Sequence, residues 1–132
     1  MQILRVEIRT TQREQLLCVT DLVQDALQSA GVEDGMCLVF CPHTTAGVTV
    51  NEAADPDVAL DLLTALSRVV EQEGPWRHRE GNSPAHVKAS LVGSSVLLPI
   101  CQGMLALGTW QGIFLCEFDG PRAREILVQT VG

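Results

Sequence analysis

The segment QGIFLCEFDGPRAREILVQTV, residues 111–131, decides the fold class. Its two halves, Gln111–Phe118 and Glu125–Val131, are both predicted to be strands. Asp119-Gly120-Pro121 between them is a turn signal. Two more strand-like segments come just before this stretch: Ser95–Cys101 and Met104–Leu107. Because a succession of strands favours antiparallel pairing, the C-terminal third indicates an α+β fold rather than a doubly wound α/β fold.

Helices and further strands are predicted upstream of this segment. Strands are expected at Leu4–Arg9, Glu14–Val19, Met36–Cys41 and Val48–Val50, and helices at 20–31, 55–70 and 85–93. Thr20 is the expected cap of the first helix, and Asp55 followed by Pro56 is a strong start for the second. Because Met36–Cys41 is a continuous apolar run, it predicts a central strand covered on both faces.

Length and charge limit the classes of protein that fit. With 132 residues, we expect a single domain, 1–132. The net charge is −7, from 16 acidic and 9 basic residues, so we expect no nucleic-acid partner, since such proteins present a basic face to phosphates. The beginning of the chain lacks a signal-peptide core, and no apolar stretch approaches the roughly 18 residues needed to span a bilayer. We therefore expect a cytoplasmic protein without membrane contact.

The three histidines all lie in the middle of the chain. His43 follows a predicted strand, His78 lies in an irregular Gly- and Pro-rich loop, and His86 follows 8 residues later. Three imidazoles with an open fourth position are common in catalytic zinc sites. The spacing matches no local zinc motif, however, and a hydrogen-bonded or surface role for each histidine is the alternative.

Carboxylates near strand ends are the candidates for proton transfer. Asn51 and Glu52 follow one strand, and Glu117 closes another, with Asp119 and Arg122 just beyond it. A salt bridge at the rim of a pocket is the alternative for the latter group.

Two further groups have candidate supporting roles. Asp61 lies on the second helix, where it is either a solvated acid or a partner that orients a metal-bound imidazole. Thr44 and Thr45 are expected to bind an anion such as phosphate through their hydroxyls and nearby backbone N–H groups.

Taken together, these segments closely resemble the YjbQ-like family, also called the secondary thiamine-phosphate synthase family. The resemblance is carried by residues 42–47 (PHTTAG), Asn51-Glu52, 55–58 (DPDV) with Asp61, His78, Asn82, Ala85-His86, 91–95 (LVGSS), Gly103, 107–111 (LGTWQ) and 117–122 (EFDGPR). It covers almost the full length of the chain.

The resemblance implies a mixed, mostly antiparallel, half-barrel-like sheet packed against two or three helices, in a homotrimer with pockets near the subunit interfaces. It also implies a divalent metal, zinc or magnesium, held by His43, His78 and His86. The activity that it implies joins a pyrimidine methyl diphosphate to a thiazole phosphate and releases pyrophosphate. The predicted contacts to a small phosphorylated metabolite are Thr44, Thr45, Asn51, Asn82, Trp110, Gln111 and Arg122, with Asp61 and Asp119 behind them.

Three functional hypotheses remain open from the sequence. The first is a thiamine-phosphate synthase whose synthase reaction is a weak side activity. The second is a metal-dependent hydrolase of a phosphate ester or cyclic amide. The third is a trimeric metabolite or metal binder without catalysis. The candidate catalytic residues are His43, Glu52, His78, His86 and Glu117.

Overall fold

The computed structural model describes residues 2–132 as eight strands and three helices. The strands are β1 (Leu4–Arg9), β2 (Gln15–Cys18), β3 (Gly35–Phe40), β4 (Ala46–Glu52), β5 (Ser95–Cys101), β6 (Met104–Leu105), β7 (Gln111–Glu117) and β8 (Ala123–Val131). The helices are α1 (Thr20–Ala30), α2 (Pro56–Val69) and α3 (Ser83–Val92). The predicted elements are all present, with ends that shift by a few residues.

The strands form two sheets that curl together as a half-barrel. One sheet has five strands in the order β1-β8-β3-β5-β6, and the other has three in the order β2-β7-β4. Every strand pairing among residues 2–132 is antiparallel, so no mixed pairing occurs there. The α+β fold class predicted from the sequence is confirmed.

The last two strands follow one another in sequence but belong to different sheets. β7 lies between β2 and β4, whereas β8 lies between β1 and β3. The turn at Asp119-Gly120-Pro121 therefore carries the chain from the small sheet to the large one and does not close a hairpin. Arg122 ends this crossing, where its N–H donates to Thr10 Oγ1 over 2.9 Å.

A buried ion pair holds the crossing in place. Glu117, at the end of β7, is fully buried, and its Oε2 accepts from an Arg124 guanidinium nitrogen at 2.5 Å. Arg124 Nε donates to the other carboxylate oxygen over 2.9 Å, and the same oxygen accepts from Thr10 Oγ1 at 2.8 Å. Arg124 also donates to Thr45 Oγ1 over 2.8 Å. The pair thus joins the two sheets to each other. It also connects them to Thr10, just after β1, and to Thr45 in the loop before β4.

The prediction that Met36–Cys41 is covered on both faces is wrong for this chain. β3 does lie in the middle of the large sheet, but its burial alternates. Cys37 and Val39 are buried in the core, whereas Met36 is 46% exposed and Phe40 37% exposed. Helix α1 packs on the Cys37 and Val39 side of this sheet, and among residues 2–132 the opposite face of β3 is left partly open.

Helix α1 closes the core over the concave side. Val23 and Leu27 of α1 are fully buried and belong to the same apolar cluster as Val39 and Val128. The helix ends as predicted at Gly31, whose φ of 70° is a left-handed conformation that glycine adopts without strain. Thr20 is not the cap, however: its Oγ1 accepts from the Ile113 N–H at 2.9 Å and ties α1 to β7.

Helix α3 packs closely on β4, whereas α2 is only partly buried against the small sheet. A Cβ atom at Gly47 would stand 2.6 Å from the Gly93 carbonyl oxygen, so only glycine allows this approach. The Val48 N–H donates to the same oxygen over 3.0 Å. Helix α2 begins as predicted, with the Asp55 side chain accepting from the Asp57 N–H at 2.9 Å, but none of its residues is fully buried.

We expect Glu117→Gln to lower the free energy of unfolding by about 3–5 kcal/mol, because it leaves the Arg124 cation buried without a counter-charge. Replacing both residues by methionine should cost less than the single change, since neither charge is then buried alone. Urea unfolding measures both effects. The exposed pair between Arg5 and Glu125 is the control, and Arg5→Gln should cost below about 1 kcal/mol. Equal losses for Arg5→Gln and Glu117→Gln would contradict the linking role of the pair.

Candidate functional site

His43 is held at the end of β3 by a backbone hydrogen bond. Its Nε2 accepts from the Glu125 N–H of β8 at 3.0 Å. A nitrogen that accepts a hydrogen bond carries no proton, so the proton of the neutral imidazole lies on Nδ1. The nitrogen that remains for a ligand is therefore Nδ1, and it is a donor.

The surroundings of His43 favour its neutral form. Burial lowers the pKa of the imidazole, and the nearby Arg124 cation lowers it further, while the Glu125 and Glu117 charges act in the opposite direction more weakly. The net pKa lies below the ordinary value for histidine. At neutral pH, His43 is an uncharged donor in a fixed orientation.

Two cavities open on either side of His43. The first, of about 500 Å³, is lined by His43, Thr44, Ala46, His86, Ala89, Ser90, Gly93 and Ser94. The second, of about 590 Å³, lies along β1 and β8 and is lined by Glu7, Ile8, Arg9, His43, Ala123, Arg124 and Glu125. The first combines an imidazole donor with hydroxyl groups, and we refer to it below as the His43 cavity.

The third histidine lies next to the second. The rings of His78 and His86 meet edge to face with 5.2 Å between their centroids, and His78 Nε2 is 3.8 Å from Glu80 Oε2. His86 thus connects the three predicted histidines: it lines a cavity together with His43, and its ring contacts that of His78. No group of three His, Cys, Asp or Glu side chains within residues 2–132 is placed to hold a metal ion. The three-histidine site does not fit this arrangement, because Nε2 of His43 is already engaged by Glu125.

Asn82, Asp119 and Arg122 form a hydrogen-bonded chain near the sheet crossing. Asn82 Nδ2 donates to Asp119 Oδ2 over 2.9 Å, and an Arg122 guanidinium nitrogen donates to the same oxygen over 3.1 Å. Asn82 Oδ1 is buried and accepts no hydrogen bond from residues 2–132. The rim salt bridge considered for Asp119 and Arg122 is therefore present, and the Arg122 charge is compensated by Asp119.

Glu117 and Thr45 lie beneath this surface. Burial alone would raise the pKa of Glu117, but hydrogen bonds from Arg124, the Asp119 N–H and Thr10 bring it below the ordinary value. Both carboxylate oxygens are occupied, and Thr45 Oγ1 accepts from Arg124. These contacts assign both residues to the scaffold and leave no free face for proton exchange with a ligand.

The remaining predicted residues lie away from the histidines. Asn51 and Glu52 end β4, opposite Gly112 and Gln111, whereas the His43 cavity adjoins Ala46 at the other end of the strand. The six steps between Ala46 and Glu52 span about 20 Å. Trp110 is exposed, Gln111 Oε1 accepts from the Gly108 N–H, and Asp61 is on the exposed face of α2. Within a single chain, these residues therefore do not line the His43 cavity.

The sequence reasoning missed four polar residues with defined partners. Arg124 and Thr10 belong to the buried network, and Lys88, only 4% exposed, donates to Glu14 Oε2 over 2.6 Å. A signal for Arg124 existed: it is in phase with Ile126 and Val128 on the core-facing side of β8, so its side chain had to be buried. Nothing in the local sequence indicates that Glu125 holds His43, because the contact uses only its backbone.

The fold and site define a class of small α+β proteins with an antiparallel half-barrel and a polar cavity beside an imidazole. The chain belongs to the UPF0047 family: the family model described as "UPF0047 protein YjbQ-like" matches residues 4–132.

Relatives from bacteria and archaea match this chain along nearly its whole length. UPF0047 protein YugU of Bacillus subtilis is 46% identical, covering 96% of this chain and 97% of its own. A Clostridium acetobutylicum crystal structure of this family superposes with a TM-score of 0.94 at 51% identity, covering 97% of this chain and 99% of that chain. A YbjQ-like protein of unknown function from Sulfolobus solfataricus gives the same score at 34% identity, covering 99% and 96%.

The helices give no indication of a membrane span. Within residues 2–132, none is both long and apolar enough to cross a bilayer.

We expect His43 to be neutral and protonated on Nδ1 at pH 7, with a pKa below 6.5. Because folding lowers this pKa, the neutral imidazole contributes stability above pH 6.5, and the contribution is lost as the pH falls through the lowered value. Nitrogen NMR of labelled histidine would show Nε2 as the unprotonated nitrogen throughout this range. A signal for protonated Nε2 at pH 7 would contradict the Glu125 contact.

Proposed function

We propose that this protein binds a small phosphorylated metabolite in the His43 cavity and carries out slow group transfer on it. The observation that supports this most directly is the fixed orientation of His43. Its Nε2 is engaged by the Glu125 N–H, so the ring offers an Nδ1–H donor beside the Thr44 and Ser94 hydroxyls. Phosphate oxygens accept hydrogen bonds from such a set without competing for a proton.

The reaction implied by the family resemblance matches this donor set chemically. In thiamine-phosphate synthesis, the bond from the pyrimidine methylene carbon to the diphosphate oxygen breaks, and its electron pair leaves with pyrophosphate. The thiazole nitrogen then supplies the electron pair for the new C–N bond, and no proton is transferred. A neutral donor such as His43 can stabilise the departing oxygen, and the reaction does not require Glu117 or Glu52 as a base.

The charge arrangement favours a slow reaction. No Lys or Arg side chain among residues 2–132 lines the His43 cavity, since Arg9 lines the second cavity instead. Three further basic residues are paired: Arg122 with Asp119, Arg124 with Glu117, and Lys88 with Glu14. Pyrophosphate departure benefits from a free positive charge, which Mg²⁺ arriving with the diphosphate substrate can supply. The lack of such a charge in the cavity argues against a dedicated, fast synthase. Of the three hypotheses, it agrees best with a weak synthase. A resident metal on all three histidines would require His43 Nε2 to lose the Glu125 hydrogen bond, so we route no step through one.

We expect purified protein to form thiamine phosphate slowly from the two precursors with Mg²⁺ present. His43→Gln is the informative variant, because its amide oxygen can still accept from the Glu125 N–H while the Nδ1–H donor is lost. Losing one donor to a developing oxyanion costs about 10²–10³-fold in rate. His43→Ala should lose as much rate, with lower thermal stability. Product formation in a coupled chromatographic assay measures both.

His78→Gln is the control, because the His78 side chain does not line the His43 cavity. No product from the wild type would overturn the synthase proposal, and a rise in melting temperature with thiazole phosphate alone would then support the non-catalytic binder. Elemental analysis of the same preparations tests the metal hypothesis. Stoichiometric zinc or magnesium lost in both His43→Ala and His86→Ala would favour the metal-dependent hydrolase instead.

We further propose that the chain forms a homotrimer through the open face of the large sheet. The part of this face formed by β3 and β5 is mostly apolar: Met36 lies between Pro99 and Val131, and Leu38 lies between Leu97, which is 61% exposed, and Gln129. An exposed apolar patch of this kind on a small protein marks an interface. Continuity of this face with His43 at the end of β3 would place the cavity near a subunit boundary.

We expect sedimentation to give three times the chain mass of 14.3 kDa. Leu97→Glu should shift the protein to the monomer, because a buried charge on each subunit is not compensated. Leu91→Glu, on the exposed part of α3, is the control and should leave the assembly unchanged. A monomeric wild type at micromolar concentration would contradict the proposal.

A further inference from the structure

Helix α2 covers the small sheet incompletely. Its 14 residues include no fully buried side chain, although its apolar residues recur at helical spacing along one face. Leu63 and Leu66 are only partly buried against the cluster that contains Phe114. A helix with an apolar stripe normally buries that stripe against its neighbour. Here the helix leaves space between itself and the sheet.

This space is a cavity of about 360 Å³ beneath the N-terminal half of α2. Its apolar walls come from the helix, through Leu60 and Leu63, and from the sheet, through Leu16 and Phe114. The volume lies within the range of pockets that enclose small organic molecules, about 300–1,000 Å³. We refer to it as the α2 cavity.

The charged residues around the α2 cavity are all acidic: Glu14, Glu52 and Asp55. Lys88 engages Glu14 in an ion pair, and the Asp55 carboxylate accepts from the Asp57 N–H at the start of α2. Glu52 takes part in none of the ion pairs within residues 2–132. Among residues 2–132, no Lys, Arg or His side chain lines the cavity.

We propose that the α2 cavity binds a small organic cation, with an apolar body between α2 and the small sheet and a primary ammonium group at Glu52. Binding removes apolar surface of the ligand and of the cavity walls from water, which stabilises the complex by roughly 25 cal/mol per Å². The carboxylate accepts hydrogen bonds from the ammonium and selects it over an anion. Such a ligand completes the packing that α2 lacks.

This site is separate from the His43 cavity and does not depend on its proposed function. The two cavities share no lining residue, and Glu52 lies about 20 Å along β4 from Ala46, which lines the His43 cavity. They also differ in charge preference, because Glu52 repels the phosphate that the neutral donors at His43 accept. The α2 cavity is therefore not a subsite for the phosphorylated ligand.

The test uses 2-phenylethylamine as the cation and 2-phenylethanol as its uncharged counterpart, with binding followed by amide NMR shifts. We expect the amine to saturate in the millimolar range, to shift residues of α2 and β2, and to bind at least about fivefold more tightly than the alcohol. Glu52→Gln should remove this preference. Glu73→Gln, an exposed acid in the following loop, should preserve it.

A second variant tests the space itself. Ala59 lines the cavity on α2, so Ala59→Leu should fill it and abolish amine binding without lowering the melting temperature. Equal affinities for amine and alcohol, or equal losses in Glu52→Gln and Glu73→Gln, would overturn the proposal. So would protection of α2 from hydrogen exchange in the free protein through contact with a second chain. Should Ala59→Leu fail to fold, the comparison of amine with alcohol in the wild type and Glu52→Gln decides.

Discussion

The buried ion pair between Glu117 and Arg124 is the contact on which the arrangement of the molecule depends. It lies where the chain crosses from the small sheet to the large one, and its hydrogen bonds reach Thr10 and Thr45 as well. Removing two charges from water is costly, and the pair repays the cost only because nearly every donor and acceptor is satisfied. Its geometry therefore fixes the relative position of the two sheets.

The same pair contributes to the chemistry of His43. Burial lowers the pKa of the imidazole, Arg124 lowers it further, and the next residue, Glu125, supplies the backbone N–H that holds Nε2. A network that stabilises the fold thus also favours the neutral form of the residue at the cavity. The Arg124 charge is neutralised by Glu117, and no Lys or Arg among residues 2–132 lines the His43 cavity, so the cavity has oriented neutral donors in place of free positive charge. This favours hydrogen bonding to phosphate over strong electrostatic catalysis.

Much of the fold could be predicted because its signals are local. The Asp55-Pro56 helix start, the end of α1 at Gly31 and the run of C-terminal strands all follow from residues adjacent in sequence. The errors concern contacts between distant segments. The apolar run in β3 resembles a strand buried on both sides, and only the placement of the helices on one side shows that half of it is open. To predict the ion pair of Glu117, the alternation of buried residues in β8 has to be extended from Ile126 to the charged Arg124.

The candidate site was predictable only in part, for the same reason. His43, Thr44 and His86 meet at one cavity because Gly47 lets the end of α3 approach β4. That approach brings together segments more than 40 residues apart, which no spacing rule describes. Glu52 was grouped with the histidines because it also follows a strand end. However, β4 is long enough to place Glu52 at the opposite end of the strand from the His43 cavity.

The two ends of β4 thus offer different chemistry to a ligand. At one end, a neutral imidazole and hydroxyls provide hydrogen-bond donors, and at the other an unpaired carboxylate adjoins an apolar cavity. With a net charge of −7, the protein repels anions at long range, so a phosphorylated ligand has to be recognised by short-range donors. A cationic ligand is instead attracted before it makes contact. The charge of the whole chain therefore favours fast association at the Glu52 end and geometric selection at the His43 end.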